Sequence, residues 1–474
     1  MSTPAPQKAG SPAARGPARP ALLLMVTAFM LFSMFFGAGN LIFPAYLGVE
    51  AGTSFVPAII GFLGTGVALP VLAIIAIAIS GNDVGELARR AGRIFGVAFP
   101  ILAYLSIGAF YALPRTGAVS YSTAIQPITG SDSIVWSGLF NLVFFGVALL
   151  LAYNPGSIIN HLGKWLTPAL LILLVVLVAI ALFTFDGTAG APVEKYQTLP
   201  AATGLVEGYL TMDSIAALAF GIVVISSLRY KGVPEGPRLV RGTIWAGVGA
   251  GILLALIYVG LGAIGHTIPN ASQYADGATL LADAAKLTMS TPGQVVFGLI
   301  VLLACMTTAV GLIAATSEFF HLLLPGISYH AWAIVFSLMS FGMATMGLNT
   351  VLSVAAPIIG FIYPPAITLI FLTLVEPAVR RRIHLVWTYY LGIWVAVAWS
   401  AVSTLVGLGI TQLEPLVAWA PLHAQQMDWV LPTVIAIIVG VILDRTVPRR
   451  ADWIADSPVG APMEETATAA ATSA

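Results

Sequence analysis

Asp213 stands with Thr211 and Ser214 about nine residues inside an otherwise apolar stretch, 204–229. At ~1.5 Å per residue that depth is near the middle of a bilayer, where an unpaired carboxylate costs at least ~2.5 kcal/mol. The acid must therefore meet a polar cavity, a cation or hydrogen-bonding partners. A structural Asp that accepts bonds from neighbouring helices is the plainer reading. Residues two apart on a regular helix point ~200° from each other, so Thr211 and Asp213 serve one site only if the helix is interrupted. Gly208 upstream and Gly221 downstream allow such a break. A second weak point is Ser33-Met34-Phe35-Phe36-Gly37-Ala38-Gly39-Asn40, with Pro44 beyond. It unwinds easily and frees backbone groups to face a cavity. Freed carbonyls hold a dehydrated cation, and freed amides at the start of a half-helix hold a carboxylate. Close packing through small residues is the rival use of these glycines; Asn40, an amide in hydrocarbon, speaks for a site. Ala304, Thr307 and Thr308 share one helical face through their i, i+3, i+4 spacing. Two hydroxyls and a carbonyl are hard oxygen ligands suited to Na⁺, although such a Thr pair also bonds its own i−4 carbonyls.

Other candidates are plainer. His161, His266, His321, His330, His384 and His423 fall near span ends or in loops, and neither H-E-x-x-H nor paired intramembrane carboxylates occur. A membrane-embedded enzyme lacks a catalytic constellation. The single cysteine, Cys305, excludes a disulfide framework. Arg115, in Leu113-Pro114-Arg115-Thr116-Gly117, either snorkels outward or forms an outer gate with an acid. Glu50, Glu207, Glu318 and Glu376 sit at span ends, where solvation is the expectation.

These residues need a frame of helices. Of 474 residues, 58% are apolar and 8% charged, against roughly 25% charged in soluble domains, which excludes an ordinary soluble enzyme. Twenty basic and twenty acidic residues give net zero charge, with no field to attract nucleic acid. Twelve apolar spans are expected in a lipid bilayer, at 21–47, 53–80, 95–126, 133–153, 162–184, 204–229, 238–265, 293–324, 329–348, 351–376, 383–410 and 428–445. The two longest are expected to tilt or to include non-helical turns. Residues 1–20 and 447–474 read as disordered cytoplasmic tails. Lys8, Arg15, Arg19, Arg89, Arg90, Arg93, Lys164, Arg229, Lys231, Arg238, Arg241, Arg380, Arg381, Arg382, Arg445, Arg449 and Arg450 all fall on one side. That places both termini in the cytoplasm. The loop 267–292 reads as an amphipathic outer lid or a plain connector, with Leu280, Leu281, Ala284 and Leu287 at helical spacing. Interrupted first and sixth spans suggest inverted halves, 21–203 and 204–380, with the site at the midplane, and 381–446 as an appended helix pair.

The stretches LFSMFFGAGNLIFP (Leu31 to Pro44), ALPRTGAVS (Ala112 to Ser120), GYLTMDSIAALAFGIVV (Gly208 to Val224) and ACMTTAVGLIAATSEFF (Ala304 to Phe320) resemble the branched-chain amino acid:cation symporter family. That family is similar to the amino acid–polyamine–cation superfamily. The resemblance implies an all-α polytopic protein of the bacterial cytoplasmic membrane with the leucine-transporter fold, a 5+5 inverted repeat plus two C-terminal helices. It also implies uptake of leucine, isoleucine and valine by Na⁺ symport. Matched residue by residue, it gives a second-sodium-type site to the carbonyls of Ser33, Phe36 and Ala304 with the hydroxyls of Thr307 and Thr308. A first-sodium-type site falls to Phe35, Asn40 and Thr211. Neurotransmitter-type members add an Asn from the seventh helix, which 238–265 lacks. Asp213 stands where they have Ser and either replaces that ligand or binds the substrate ammonium. The substrate carboxylate is expected on the amides of Gly37, Ala38 and Gly39. The branched side chain is expected near Tyr104, Phe110 and Phe220, residues chosen by depth. Proton coupling through Asp213, and an amino acid sensor using the same site, are the alternatives. A channel lacks a continuous polar stripe over several spans. Oligomeric state is not legible.

Overall fold

The computed structural model describes residues 20–81, 84–126, 133–211 and 213–447, without the side chains of Ala38, Asn349, Ala355 and Ala424. Of the expected tails 1–20 and 447–474, residues 1–19 and 448–474 lie outside the described residues, and so do Lys8, Arg15, Arg19, Arg449 and Arg450.

The described residues form helices without a strand. Those of nine residues or more are α1 (Pro20–Phe35), α2 (Ala38–Ala51), α3 (Phe55–Leu63), α4 (Leu69–Ser80), α5 (Arg93–Leu105), α6 (Ala112–Ser120), α7 (Ile134–Ala152), α8 (Thr167–Thr184), α9 (Pro200–Leu210), α10 (Asp213–Tyr230), α11 (Pro237–Thr267), α12 (Gly277–Leu323), α13 (Tyr329–Thr345), α14 (Leu348–Val379), α15 (Trp387–Gly407) and α16 (Val430–Thr446). Nine helical stretches among the described residues are long and apolar enough to cross a membrane. The remaining apolar helices α1, α13 and α16 have 16, 17 and 17 residues, just under the ~20 that a crossing needs.

The interruptions fall where the glycines and polar residues suggest. The first span breaks between Phe35 and Ala38, and the sixth between Leu210 and Asp213. The two longest spans are also irregular. The third carries wide π-type turns at Ser106–Phe110 and Tyr121–Ile125, and Tyr111 leaves helical geometry altogether (φ −136°, ψ −79°). The eighth continues backward as the N-terminal part of α12, bent at Ser290 (φ 55°, ψ −138°) just before Pro292. This preceding helix is the amphipathic segment read in 267–292. Asp276 caps it by accepting from the amides of Ala278 (2.8 Å) and Thr279 (2.9 Å). Leu280, Leu281 and Ala284 are buried, while Leu287 is exposed.

Close backbone packing does occur, at other glycines than those of the first break. A β-carbon on Gly48 or Gly265 would overlap backbone of the facing helix, so α2 and α11 touch directly. Gly61 and Gly204 do the same for α3 and α9. Gly37 and Gly39 instead face side chains, Thr308 and Arg115. The last two long helices pack on each other, and α15 packs on α14, with Asp444 accepting from the Trp387 (2.7 Å) and Thr388 (3.0 Å) amides to cap α15.

Candidate functional site

At the first break Gly37 is extended (φ −100°, ψ −169°), and the chain re-enters a helix at Ala38. The Gly37 amide donates to the Phe35 carbonyl (2.9 Å) and to Asn40 Oδ1 (3.2 Å). Of the three amides expected to receive a carboxylate, this one is therefore engaged within the break itself. The other end of the Asn40 amide donates to Asp213 Oδ2 (2.6 Å) and to the hydroxyl of Tyr258. One side chain thus fastens the broken first helix, the start of α10 and the middle of α11 together. Tyr258, wholly buried, is thus the residue of the seventh span, itself without an Asn, that bonds to Asn40. The sequence signal was present: a phenol inside an apolar run needs a hydrogen-bond partner.

Around this junction lies a cavity walled by Phe35, Gly37, Gly39, Asn40 and Phe43 of the first span, Ser106, Ile107, Tyr111, Arg115 and Thr116 of the third, and Thr211, Asp213, Ile215, Ala216 and Phe220 of the sixth. Thr308 and Leu312 of α12 and Ile359 of α14 complete it. It is mostly apolar with a few convergent polar groups, the usual character of a small-molecule site. Phe220 lines it and packs against Phe35, with ring centroids 5.6 Å apart. Tyr104 and Phe110 are not in this wall. Tyr104 is fully buried, stacked on Phe319 at 4.1 Å and bonded to the Ala219 carbonyl (3.3 Å), and Phe110 packs half-buried at the end of a π-type turn. Depth gives the level of a residue in the membrane but not its azimuth, and the wide turn at Ser106–Phe110 rotates the residues beyond it about the helix axis.

Arg115 corrects its expectation of snorkelling outward. It turns into the cavity, donating to the Tyr111 hydroxyl, and its guanidinium carbon lies 5.4 Å from the centre of that ring. A β-carbon on Gly39 would come within 2.8 Å of Arg115 Nη2, so the guanidinium rests on the start of α2. Among the described residues it makes no ion pair of the kind expected of a gate.

Across from it are the oxygens of the cation reading. Thr308 Oγ1 donates to the Ser33 carbonyl (3.4 Å), and Thr307 Oγ1 donates to the carbonyls of Leu303 (2.9 Å) and Ala304 (3.0 Å). Ser33, Phe36, Ala304 and Thr307 are fully buried and Thr308 nearly so. Thr308 thus reaches across to the first helix while the Thr307 hydroxyl bonds within its own helix, and a hydroxyl set against a backbone carbonyl is a pair of hard oxygens. Thr211 bonds its own helix at Gly208 (2.8 Å) while lining the same cavity.

The glutamates at span ends are not merely solvated. Lys195 bridges Glu50 (2.7 Å) and Glu207 (2.8 Å) at the far ends of α2 and α9. Partial burial alone would lower the Lys195 ammonium pKa, but hydrogen bonds and charge from Glu207 and Glu50 raise it above its ordinary value. Glu376 pairs with buried Arg90 and accepts from Tyr389 (3.1 Å), and Glu318 accepts from Ser226 (3.3 Å).

The chain is 57% identical over 421 residues to the branched-chain amino acid permease BrnQ of Corynebacterium glutamicum, covering 89% of this chain and 95% of that one. It is 38% identical to the branched-chain amino acid transport system 2 carrier protein of Pseudomonas aeruginosa (90% and 98% covered) and 37% identical to the permease BraB of Bacillus subtilis (88% and 95%). Among solved structures, Mhp1, a nucleobase-cation-symport-1 family transporter in a closed conformation with bromovinylhydantoin bound, superposes with a TM-score of 0.57 at 17% identity. The match covers 92% of this chain and 94% of that one and shows a shared fold. The pattern of the family described as branched-chain amino acid transport protein matches residues 22–447, so the chain belongs to that family of membrane transporters and is not an enzyme.

Proposed function

We propose that the protein takes up leucine, isoleucine and valine across the bacterial cytoplasmic membrane by Na⁺ symport. The observation that carries this is the meeting of the Thr308 hydroxyl with the Ser33 carbonyl, 3.4 Å apart, on the edge of the cavity at the two helix breaks. Na⁺ held by the Ser33, Phe36 and Ala304 carbonyls and the Thr307 and Thr308 hydroxyls orders the broken first helix. It thereby favours the outward-open state, which couples ion to substrate through differential affinity. Phe35, Asn40 and Thr211 supply a second cation position only together with Asp213. The substrate lies with its carboxylate toward Ala38 and Gly39, its ammonium toward Asp213 and its branched side chain against Phe220. One Na⁺ moving inward releases ~2.3 kcal/mol per 100 mV, which together with its concentration gradient drives strong accumulation. In this reading α1, α13 and α16 count as crossings, giving twelve spans with both termini cytoplasmic, arranged as repeats 21–203 and 204–380 plus an appended pair.

Proton coupling is the second reading, favoured by the one observation that Asp213 faces the cavity as an acid. Uptake of labelled leucine into proteoliposomes separates the two: an inward Na⁺ gradient is compared with equimolar K⁺, with and without a pH gradient. The Na⁺ reading expects uptake that requires Na⁺ and is lost in Thr307→Ala/Thr308→Ala. Uptake that follows the pH gradient and survives in that variant overturns it in favour of Asp213, and binding without flux identifies a sensor.

A further inference from the structure

Arg115 and Asp213 are opposite charges on two walls of one cavity, on the third and sixth spans. Among the described residues neither makes an ion pair, whereas Arg90, Lys195 and Arg229 each have a carboxylate partner. A charge in a low-dielectric cavity is costly unless neutralised, so two such charges held apart favour a ligand that brings one of each sign. The position of Arg115 sharpens this. Its guanidinium rests against Gly39, on the positive end of α2, where a cation is the wrong charge. An anion lodged between guanidinium and helix start removes that penalty and accepts from both. The Tyr111 hydroxyl takes a single bond from a guanidinium that carries five donors and lines the cavity. Gly39 is part of the same device: a β-carbon there would come within 2.8 Å of Nη2 and push the guanidinium off the helix start.

We propose that Arg115 binds the α-carboxylate of the transported amino acid, so that Arg115 and Asp213 together select a zwitterion. This rests on the reading of the cavity as the amino acid site and replaces the outer-gate role for Arg115. It also accounts for the Gly37 amide being engaged elsewhere: the carboxylate takes its main bonds from a side chain, with the α2 start in support.

The test uses the purified full chain in detergent, with displacement of labelled leucine by leucine, by leucinamide, which keeps the ammonium and lacks the carboxylate, and by 4-methylpentanoate, which has the reverse. Losing one partner of a buried charged pair costs roughly 100-fold in affinity. Arg115→Gln is expected to lose that factor for leucine while leucinamide is nearly unaffected, so the preference for leucine over leucinamide collapses. Asp213→Asn is expected to collapse the preference over 4-methylpentanoate instead. Equal losses for leucine and leucinamide in Arg115→Gln, or no loss, overturn the proposal. Should Arg115→Gln not accumulate in the membrane, the unaltered protein serves. Phenylglyoxal addition at Arg115, read by peptide mass spectrometry, is expected to be suppressed by leucine and not by leucinamide at equal occupancy, and addition indifferent to leucine overturns the assignment. An unaltered protein that binds none of leucine, isoleucine and valine overturns the substrate reading itself, which is a different failure.

Discussion

Asn40 joins three helices with a single amide: it accepts from Gly37, and it donates to Asp213 and to Tyr258. Removing the Tyr258 hydroxyl leaves a buried donor short of one partner, which costs ~1–3 kcal/mol. Tyr258→Phe is therefore expected to weaken leucine binding by roughly tenfold while the protein stays folded, as read by saturation binding beside a melting curve. A wild-type affinity in that variant would separate Tyr258 from the site. A methyl at Gly37 would lie 3.3 Å from Thr308 Oγ1. Gly37→Ala is accordingly expected to raise the Na⁺ concentration for half-maximal uptake, with leucine affinity at saturating Na⁺ changed far less. Asp213, Asn40 and Thr308 were legible because each is a polar atom in an apolar run, where burial without a role is expensive. Tyr104 and Phe110 were not, since an aromatic ring at the right depth packs equally well in a core. Arg115 was found, but its direction depends on the turn at Ser106–Phe110, which no residue in that stretch announces.

At the scale of the elements, both helix breaks could be read from the sequence because Gly, Asn and Pro cluster at one and Thr-Met-Asp interrupts the other. What could not be read is how the outer half-helices are tied. Lys195, in the short turn Glu194–Gln197, pins the end of α2 through Glu50 and α9 through Glu207, while Val193 donates to the Glu50 carbonyl (2.9 Å). Glu50 and Lys195 are far apart in the sequence and belong to different elements, so only the fold pairs them. The side chain is 43% exposed, which limits the bridge to about 0.3–1 kcal/mol. Lys195→Met is expected to lower the melting temperature by a degree or two at low ionic strength and by less in 1 M choline chloride. Because the folded-state pKa of Lys195 is raised, its contribution is complete below the unfolded value near 10.5 and is lost only as pH rises through the higher folded value. Melting curves at neutral and mildly alkaline pH should show the same Lys195→Met difference.

For the whole molecule, a buried cluster sets the frame on the side opposite that bridge. Arg90, next to the first span pair, meets Glu376 at the end of α14 and Tyr389 of α15, the latter 299 residues away in sequence. Breaking a buried pair from one side costs ~3–5 kcal/mol, whereas replacing both partners with apolar residues is often neutral. Arg90→Met is thus expected to destabilise the protein severely, and Arg90→Met/Glu376→Met to recover most of the loss. Thermal melts of the two variants check this, and equal instability in both would show that the charges act separately. The sequence placed Glu376 in solvent because it sits at a span end, and no local pattern reveals a partner so distant.

The bend at Ser290 ties the segment before it to the helix at the cavity. The amphipathic helix before the bend rests its first residue, Gly277, on the Ile42 backbone of α2, and across the bend the chain runs on into the helix that carries Thr307 and Thr308. The segment 277–289 and the helix that carries Thr307 and Thr308 are thus joined through a single bend. An antibody fragment raised against residues 277–289 is expected to restrict that bend and slow transport, read as leucine uptake with and without the fragment.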